Sequence, residues 1–341
     1  WVSGTGSPAQ GEPPRSVVFR FPLGAGAAGA MRVRGTPIDQ FSFDEHGDTL
    51  RVVVTAEGGG GDAMGSAAGS RGDLGLARLP LAQFTPDVLT ADRTVYRGLP
   101  PASDATEHGE SHNRFVGDHL LYGEEASGND AAGGARARAD RAVQVFDLAH
   151  DVATRLTVTH SVERIEPLGR DALAVGSAAS DLTFTAIALD ATPALAGQYT
   201  LRNASQGETR SHGFFFFPSG DRAGTLGLPV TSGNDTGRWA SLQSVSSSVQ
   251  FLGVDALRFR NLGQLRSGRA PALDDHCVAS CSDWYGNARP IFWGGRTFAL
   301  LGYELVEGTV AGGHLRETRR VDFLRALAGD GRQNVFDDLV E

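Results

Sequence analysis

The chain has 341 residues, 40% of them hydrophobic, enough to bury a large core as two ordinary domains or one long repeat array. Its 31 basic residues are all arginine, set against 40 acidic ones, and the formal charge of -9 excludes a general nucleic-acid surface. No apolar run reaches the roughly 18 to 20 residues of a membrane helix, so the sequence holds no transmembrane segment.

Residues 1–14 are polar and rich in Gly and Pro, and read as a flexible lead-in. From residue 15 to 308, runs of Val, Leu, Phe and Thr are cut by Gly, Asp and Ser, a pattern of short strands and turns. Val17–Leu23 and Met31–Gly35 form a first strand pair. The stretch from Asp39 to Glu57 spells a hairpin, with Phe41 and Phe43 alternating with polar neighbours before a turn and a β-branched run from Leu50 to Thr55.

A turn of glycine with charged residues then recurs before an apolar run. It appears at Gly47-Asp48, Gly117-Asp118, Gly169-Arg170, Gly220-Asp221 and Gly294-Gly295, about 50 to 75 residues apart. Each interval has room for four strands, which predicts an all-β β-propeller of four-stranded antiparallel blades. About five blade units fall in this chain, either self-closed or as part of a larger ring. The first runs from Phe41 to Leu99 and the second from Asn113 to His160. The third spans Arg164 to Arg202 and the fourth Gly213 to Leu262. A fifth begins with Pro290–Trp293 and Thr297–Leu305 and has weak outer strands. Within the fourth, Phe214–Phe217 is apolar enough to predict cover on both faces by adjacent blades. Residues 309–341 read as a C-terminal tail, with a short amphipathic helix over Thr318–Leu327 carried by Val321, Phe323, Leu324 and Leu327.

Gln40-Phe41-Ser42-Phe43-Asp44-Glu45 with Leu50-Arg51-Val52-Val53-Val54-Thr55 resembles a turn and strand typical of a family of secreted bacterial and archaeal proteins with a C-terminal β-propeller domain. Asn287–Trp293 with Phe298–Glu304 is similar to the same family. The chain departs from the pattern at Asp39-Gln40 and at Val53-Val54. The resemblance implies an exported propeller and supplies no catalytic residues.

Local chemistry is sparse. Cys277 and Cys281 sit four apart in a loop of Asp, Ser and Gly, too widely spaced for a redox pair and short of two zinc ligands, so a local disulfide of an exported protein is expected. Asp44, Glu45 and Asp48 cluster on one turn and are candidate calcium ligands, although the spacing is not that of a calcium-binding loop and a turn-capping role reads more simply. His108 and His112, with Glu107 and Glu110 about them, would share a metal only on a helix, which Gly109 and the strand at Asn113 oppose. Ser211-His212 repeats Ser111-His112 ahead of a strand, a recurrence that favours a structural role. Trp284, Tyr285 and Trp293 would suit a sugar-stacking platform, with core packing as the plainer reading. Arg71-Gly72-Asp73 lies in a low-complexity loop and carries no adhesion argument.

No nucleophile elbow, phosphate loop or dinucleotide fingerprint occurs. The expectation is a non-enzymatic scaffold or binding module, secreted, periplasmic or at the cell surface. No cofactor is expected unless calcium binds. The partner is another polypeptide, or a missing N-terminal part that completes the propeller. The competing class is a propeller hydrolase or lyase, calcium-assisted, with a loop-built site.

Overall fold

The computed structural model describes residues 15–24, 26–55, 74–102, 109–125, 141–232, 248–268, 288–302 and 304–323. These residues are mostly strand. The chain divides into two compact units, one holding residues 1–179 and 187–195 and the other 180–186 and 196–341.

In the first unit β1 (Arg15–Arg20) and β2 (Gly29–Arg34) pair antiparallel. Then follow β3 (Thr36–Pro37), β4 (Phe43–His46), β5 (Thr49–Thr55), β6 (Leu74–Pro80), β7 (Leu89–Thr90) and β8 (Tyr96–Gly98). The central order is β3-β5-β6-β8, β4 also lies on β5, and β7 adds to β2 in parallel. The next sheet is a meander of β9 (Ser111–Val116), β10 (His119–Glu124), β11 (Ala142–Asp147) and β12 (Val152–Thr157). A further four-stranded sheet runs β13 (Arg164–Leu168), β14 (Asp171–Ala178), β15 (Asp181–Ala188) and β16 (Ala194–Leu201), and the division between units falls within it.

In the second unit, β17 (Ala204–Gln206), β18 (Phe215–Gly220), β19 (Ala223–Ser232), β20 (Ser248–Asp255) and β21 (Arg258–Arg266) build one sheet, with β18 on β19 beside the path β17-β19-β20-β21. The last sheet runs β22 (Arg289–Trp293), β23 (Arg296–Leu301), β24 (Glu304–Ala311) and β25 (His314–Asp322) in order. The chain is thus an all-β protein of antiparallel blades of the propeller type, and the five expected units appear as five sheets of four or five strands.

Two-residue turns hold the hairpins in register. Gly117 has φ 57° at the first central position between β9 and β10, the conformation a II′ hairpin demands and glycine supplies without strain. The turn at Gly220 differs, because Arg222 takes the left-handed position there with φ 53°.

The middle strands are buried along their length because sheets cover both their faces. Val53, Leu76, Leu120, Tyr122 and Phe146 join the second and third sheets of the first unit. Leu121, on the opposite face of β10 from Leu120 and Tyr122, joins Val143, Val145, Ile165 and Ala174 in filling the next interface. In the second unit Val249, Phe251, Leu262, Leu265, Ala299 and Val306 pack the last two sheets together.

Three expectations are corrected. The fifth blade is complete, since β24 and β25 supply the outer strands that are weak in sequence. Blade structure therefore continues past residue 308, and Thr318–Asp322 is strand where a helix was expected. The reason is the ladder to β24, reinforced by Arg320, which donates to Glu304 Oε1 at 2.8 Å and Glu317 Oε2 at 2.7 Å. Phe214–Phe217 is not covered on both faces, and β18 is an edge strand bonded only to β19. Phe214 is buried and Phe216 leans over Gly224, but Phe215 and Phe217 are 54% and 47% exposed. No helix among the described residues is long and apolar enough to cross a membrane.

Candidate functional site

Two neighbouring strands, β9 and β13, and the turn before β4 carry the polar residues that converge in the first unit. β9 lies beside β13, and the turn before β4 reaches β9 through side chains. Asn113 Nδ2 donates to Asp39 Oδ1 and to Ser42 Oγ, both at 3.1 Å. Asp39 also accepts from the Phe41 backbone at 2.7 Å, yet burial pushes its carboxyl above the ordinary carboxylate range. Arg114 donates to Glu166 Oε2, and Arg164 donates to Glu166 Oε1 at 2.8 Å. The Arg114 guanidinium also lies 3.7 Å from the centre of the Phe41 ring, a cation–π contact.

At the open end of the β9–β10 hairpin stand Glu110, His112 and Glu125, whose ligand atoms all lie within 4.8 Å of one another. Strand geometry explains the convergence. Residues two apart in a strand share a face, which aligns Glu110 with His112. One further step of the β9–β10 register sets Glu125 opposite Glu110, and the Glu125 N–H donates to the Glu110 carbonyl at 2.8 Å. Among the described residues this is the one group of three able to share a metal ion.

The candidate calcium ligands lie elsewhere. Asp44 Oδ2 is 3.4 Å from Arg51 Nη1, and Glu45 Oε1 is 3.8 Å from Arg20 Nη2. Consecutive strand residues face opposite ways, so Asp44 and Glu45 do not converge, and Asp48 belongs to the turn, where its carbonyl accepts from Leu81 N–H. Cys277, Cys281, His108, Trp284, Tyr285 and Arg71-Gly72-Asp73 lie outside the described residues.

The two Ser-His pairs differ in setting. His112 belongs to β9, whereas His212 sits in a 3-10 turn over Ser211–Gly213. His212 Nε2 is 3.3 Å from Glu208 Oε2, but Glu208 is already clamped by Arg210 through 2.9 and 2.7 Å bonds. Burial opposes the charge on Glu208, and the Arg210 bonds outweigh it, holding the carboxyl below its ordinary range. Glu125, which sequence reasoning missed, has no arginine partner among the described residues. Its signal is the hairpin register counted outward from Gly117-Asp118.

The second unit presents a different feature, an aromatic face. Phe292 of β22 stacks on Phe217 at 5.6 Å between ring centres, tilts against Phe215 at 6.4 Å, and meets buried Phe251 edge-on at 6.0 Å. Trp293, at the end of β22, is 70% exposed and so does not join the core.

No protein-family model and no curated protein matches the sequence. Among solved structures the chain is similar to a periplasmic gluconolactonase of Pseudomonas aeruginosa, at 11% identity and a TM-score of 0.43 over 91% of this chain and 78% of that one. A hypothetical selenium-binding protein from Sulfolobus tokodaii gives 11% and 0.42 over 92% and 74%. The WD40 domain of Toxoplasma gondii coronin gives 10% and 0.39 over 92% and 66%. Likenesses this distant carry no argument about activity, and the blade assignment rests on the sheets described above.

One buried titratable group bears on pH dependence. His160 is fully buried, its Nδ1 is 2.6 Å from the Ser161 carbonyl, and burial pushes its pKa below the ordinary 6.5. The unfolded chain gains a proton here below about pH 6.5 while the folded chain does not, so this contribution is complete above that pH and is lost as the pH falls. The thermal midpoint is expected to drop between about pH 7.5 and 5.5, and to drop less in His160→Gln. Parallel pH profiles for the two proteins would remove His160 from the account.

Proposed function

We propose that the chain is a β-propeller binding module that works outside the cytoplasm and docks a partner polypeptide through the aromatic face of β18 and β22. The observation that carries this reading is the pair Phe215 and Phe217, exposed and yet ordered against Phe292. Water-exposed rings held in a cluster supply contact area at little entropic cost, which is what an interface anchor requires. A polypeptide with apolar side chains suits the face better than a sugar does. Sugars need polar groups beside the stacking ring, and β18 reads Phe-Phe-Phe-Pro-Ser-Gly without a charged residue. The extracytoplasmic setting draws on the Cys277 and Cys281 spacing, and alkylation of unreduced protein should leave both thiols unlabelled.

The test is a displayed peptide library panned against the full chain beside a glycan array. Peptides with aromatic or aliphatic anchors are expected to bind, and Phe217→Asp is expected to weaken them by more than about 30-fold, the scale of an interface hot spot. The variant should fold as the parent does, because Phe217 is half exposed. Glycan binding without peptide binding, or peptide binding indifferent to Phe217→Asp, overturns the reading. A hydrolase or lyase is the second reading, favoured by the carboxylate and imidazole groups at Glu110, His112 and Glu125. Turnover of an ester panel that His112→Gln abolishes would establish it.

A further inference from the structure

We propose that Glu110, His112 and Glu125 bind a divalent transition-metal ion of the zinc class, a property of the first unit that does not rest on the docking reading. The donor set is one imidazole and two carboxylates, which suits zinc and its first-row neighbours. Calcium would want six to eight oxygens and gains little from imidazole.

Backbone geometry makes the cluster costly without a cation. The Glu125 to Glu110 bond sets the two glutamates opposite each other at the ladder end, and like charges directly across a ladder repel. The register that sets them opposite is held by the six-pair β9–β10 ladder, and the backbones approach so closely beyond it that a Cβ on Gly109 would lie 1.9 Å from the Glu125 carbonyl oxygen.

Several of the other described glutamates in this lysine-free chain meet an arginine. Glu166 has Arg114 and Arg164, Glu208 has Arg210, Glu304 has Arg320, and Glu307 has Arg296. Among the described residues Glu110 and Glu125 meet none, and His112 is the side chain that stands between them.

The imidazole, on a side chain 22% exposed, adds a further observation. His112 Nε2 is shut off from solvent and makes no hydrogen bond, so a buried lone pair or N–H is left unsatisfied. It sits 4.0 Å from Glu125 Oε2, beyond hydrogen-bond reach. Two donors on one tetrahedral ion, each about 2.0–2.2 Å from it, lie roughly 3.3–3.6 Å apart, a separation that rotation of the half-exposed Glu125 side chain can give its pair with His112. Three protein donors leave the remaining positions to water or to a ligand from solution. His212 Nε2 is likewise unbonded, but its glutamate is saturated by Arg210, so that pair offers no second free carboxylate.

Equilibrium dialysis of the full chain against Zn²⁺ tests the site, with the visible absorption of bound Co²⁺ as a second readout. One ion per chain is expected. His112→Gln and Glu110→Gln should each weaken binding by more than the roughly 10–100-fold that loss of an outer-shell partner costs, and should change the Co²⁺ spectrum. Glu110 is exposed, so its variant keeps the fold and remains informative if His112→Gln does not. Asp44→Asn should leave binding unchanged. No retained Zn²⁺, or retention equal in the parent and in both ligand variants, overturns the proposal.

Discussion

Replacing Glu166 with alanine is expected to destabilise the protein by about 3–5 kcal/mol. The Glu166 side chain is 3% exposed, and its two oxygens take Arg164, 5% exposed, and Arg114, 17% exposed. Arg114 comes from β9, Arg164 and Glu166 from β13, and Arg114 also covers Phe41 ahead of β4, so one carboxylate ties two sheets together and, through Arg114, reaches the turn of a third. Truncating it leaves two guanidiniums facing each other in a site with little water. The triad need not be the most stable filling of that space. Burying three charges incurs a desolvation penalty that their attraction only roughly offsets, so changing Arg114, Glu166 and Arg164 together to methionine or leucine should recover most of the loss. Urea midpoints of the parent, Glu166→Ala and the triple variant decide the matter. A loss below about 1 kcal/mol for Glu166→Ala would mean the charges are solvated in solution.

The strands are legible in the sequence because their signals are local. A glycine-led turn between two alternating runs specifies a hairpin at Gly47, Gly117, Gly169 and Gly294 whatever surrounds it, and the paired strands follow to within a few residues. The last strand is not legible, because Val321, Phe323, Leu324 and Leu327 together fit a helical spacing, and only the ladder from β24 makes Thr318–Asp322 a strand. Phe215 and Phe217 mislead for a different reason. Apolar character reports what a side chain would gain by burial, not whether another sheet arrives to bury it. The candidate metal group is half legible. Glu110 and His112 stand out in the sequence, but a helical template does not apply to a strand, and Glu125 becomes their neighbour only through cross-strand register.

Phe251→Ala is the counterpart in the second unit, with an expected loss of about 3–5 kcal/mol. Phe251 is fully buried among Val249, Leu262, Leu265, Ala299, Leu301 and Val306, where the last two sheets meet. Its removal deletes the transfer energy of a phenyl ring and opens a cavity between strands whose ladders resist collapse. Relaxation is hindered further at Gly227, paired with Phe251 across β19 and β20, where a Cβ would already stand 2.4 Å from Pro290. The same ring meets the edge of Phe292, the residue on which Phe217 stacks. Phe251→Ala should therefore lower both stability and peptide binding, whereas Phe217→Asp should lower binding alone. Measuring both quantities on both variants separates a surface that binds from a core that supports it. Equal stability losses in the two variants would show that β18 is covered in solution, and a stability loss below about 1 kcal/mol for Phe251→Ala would show that the last two sheets do not pack across it.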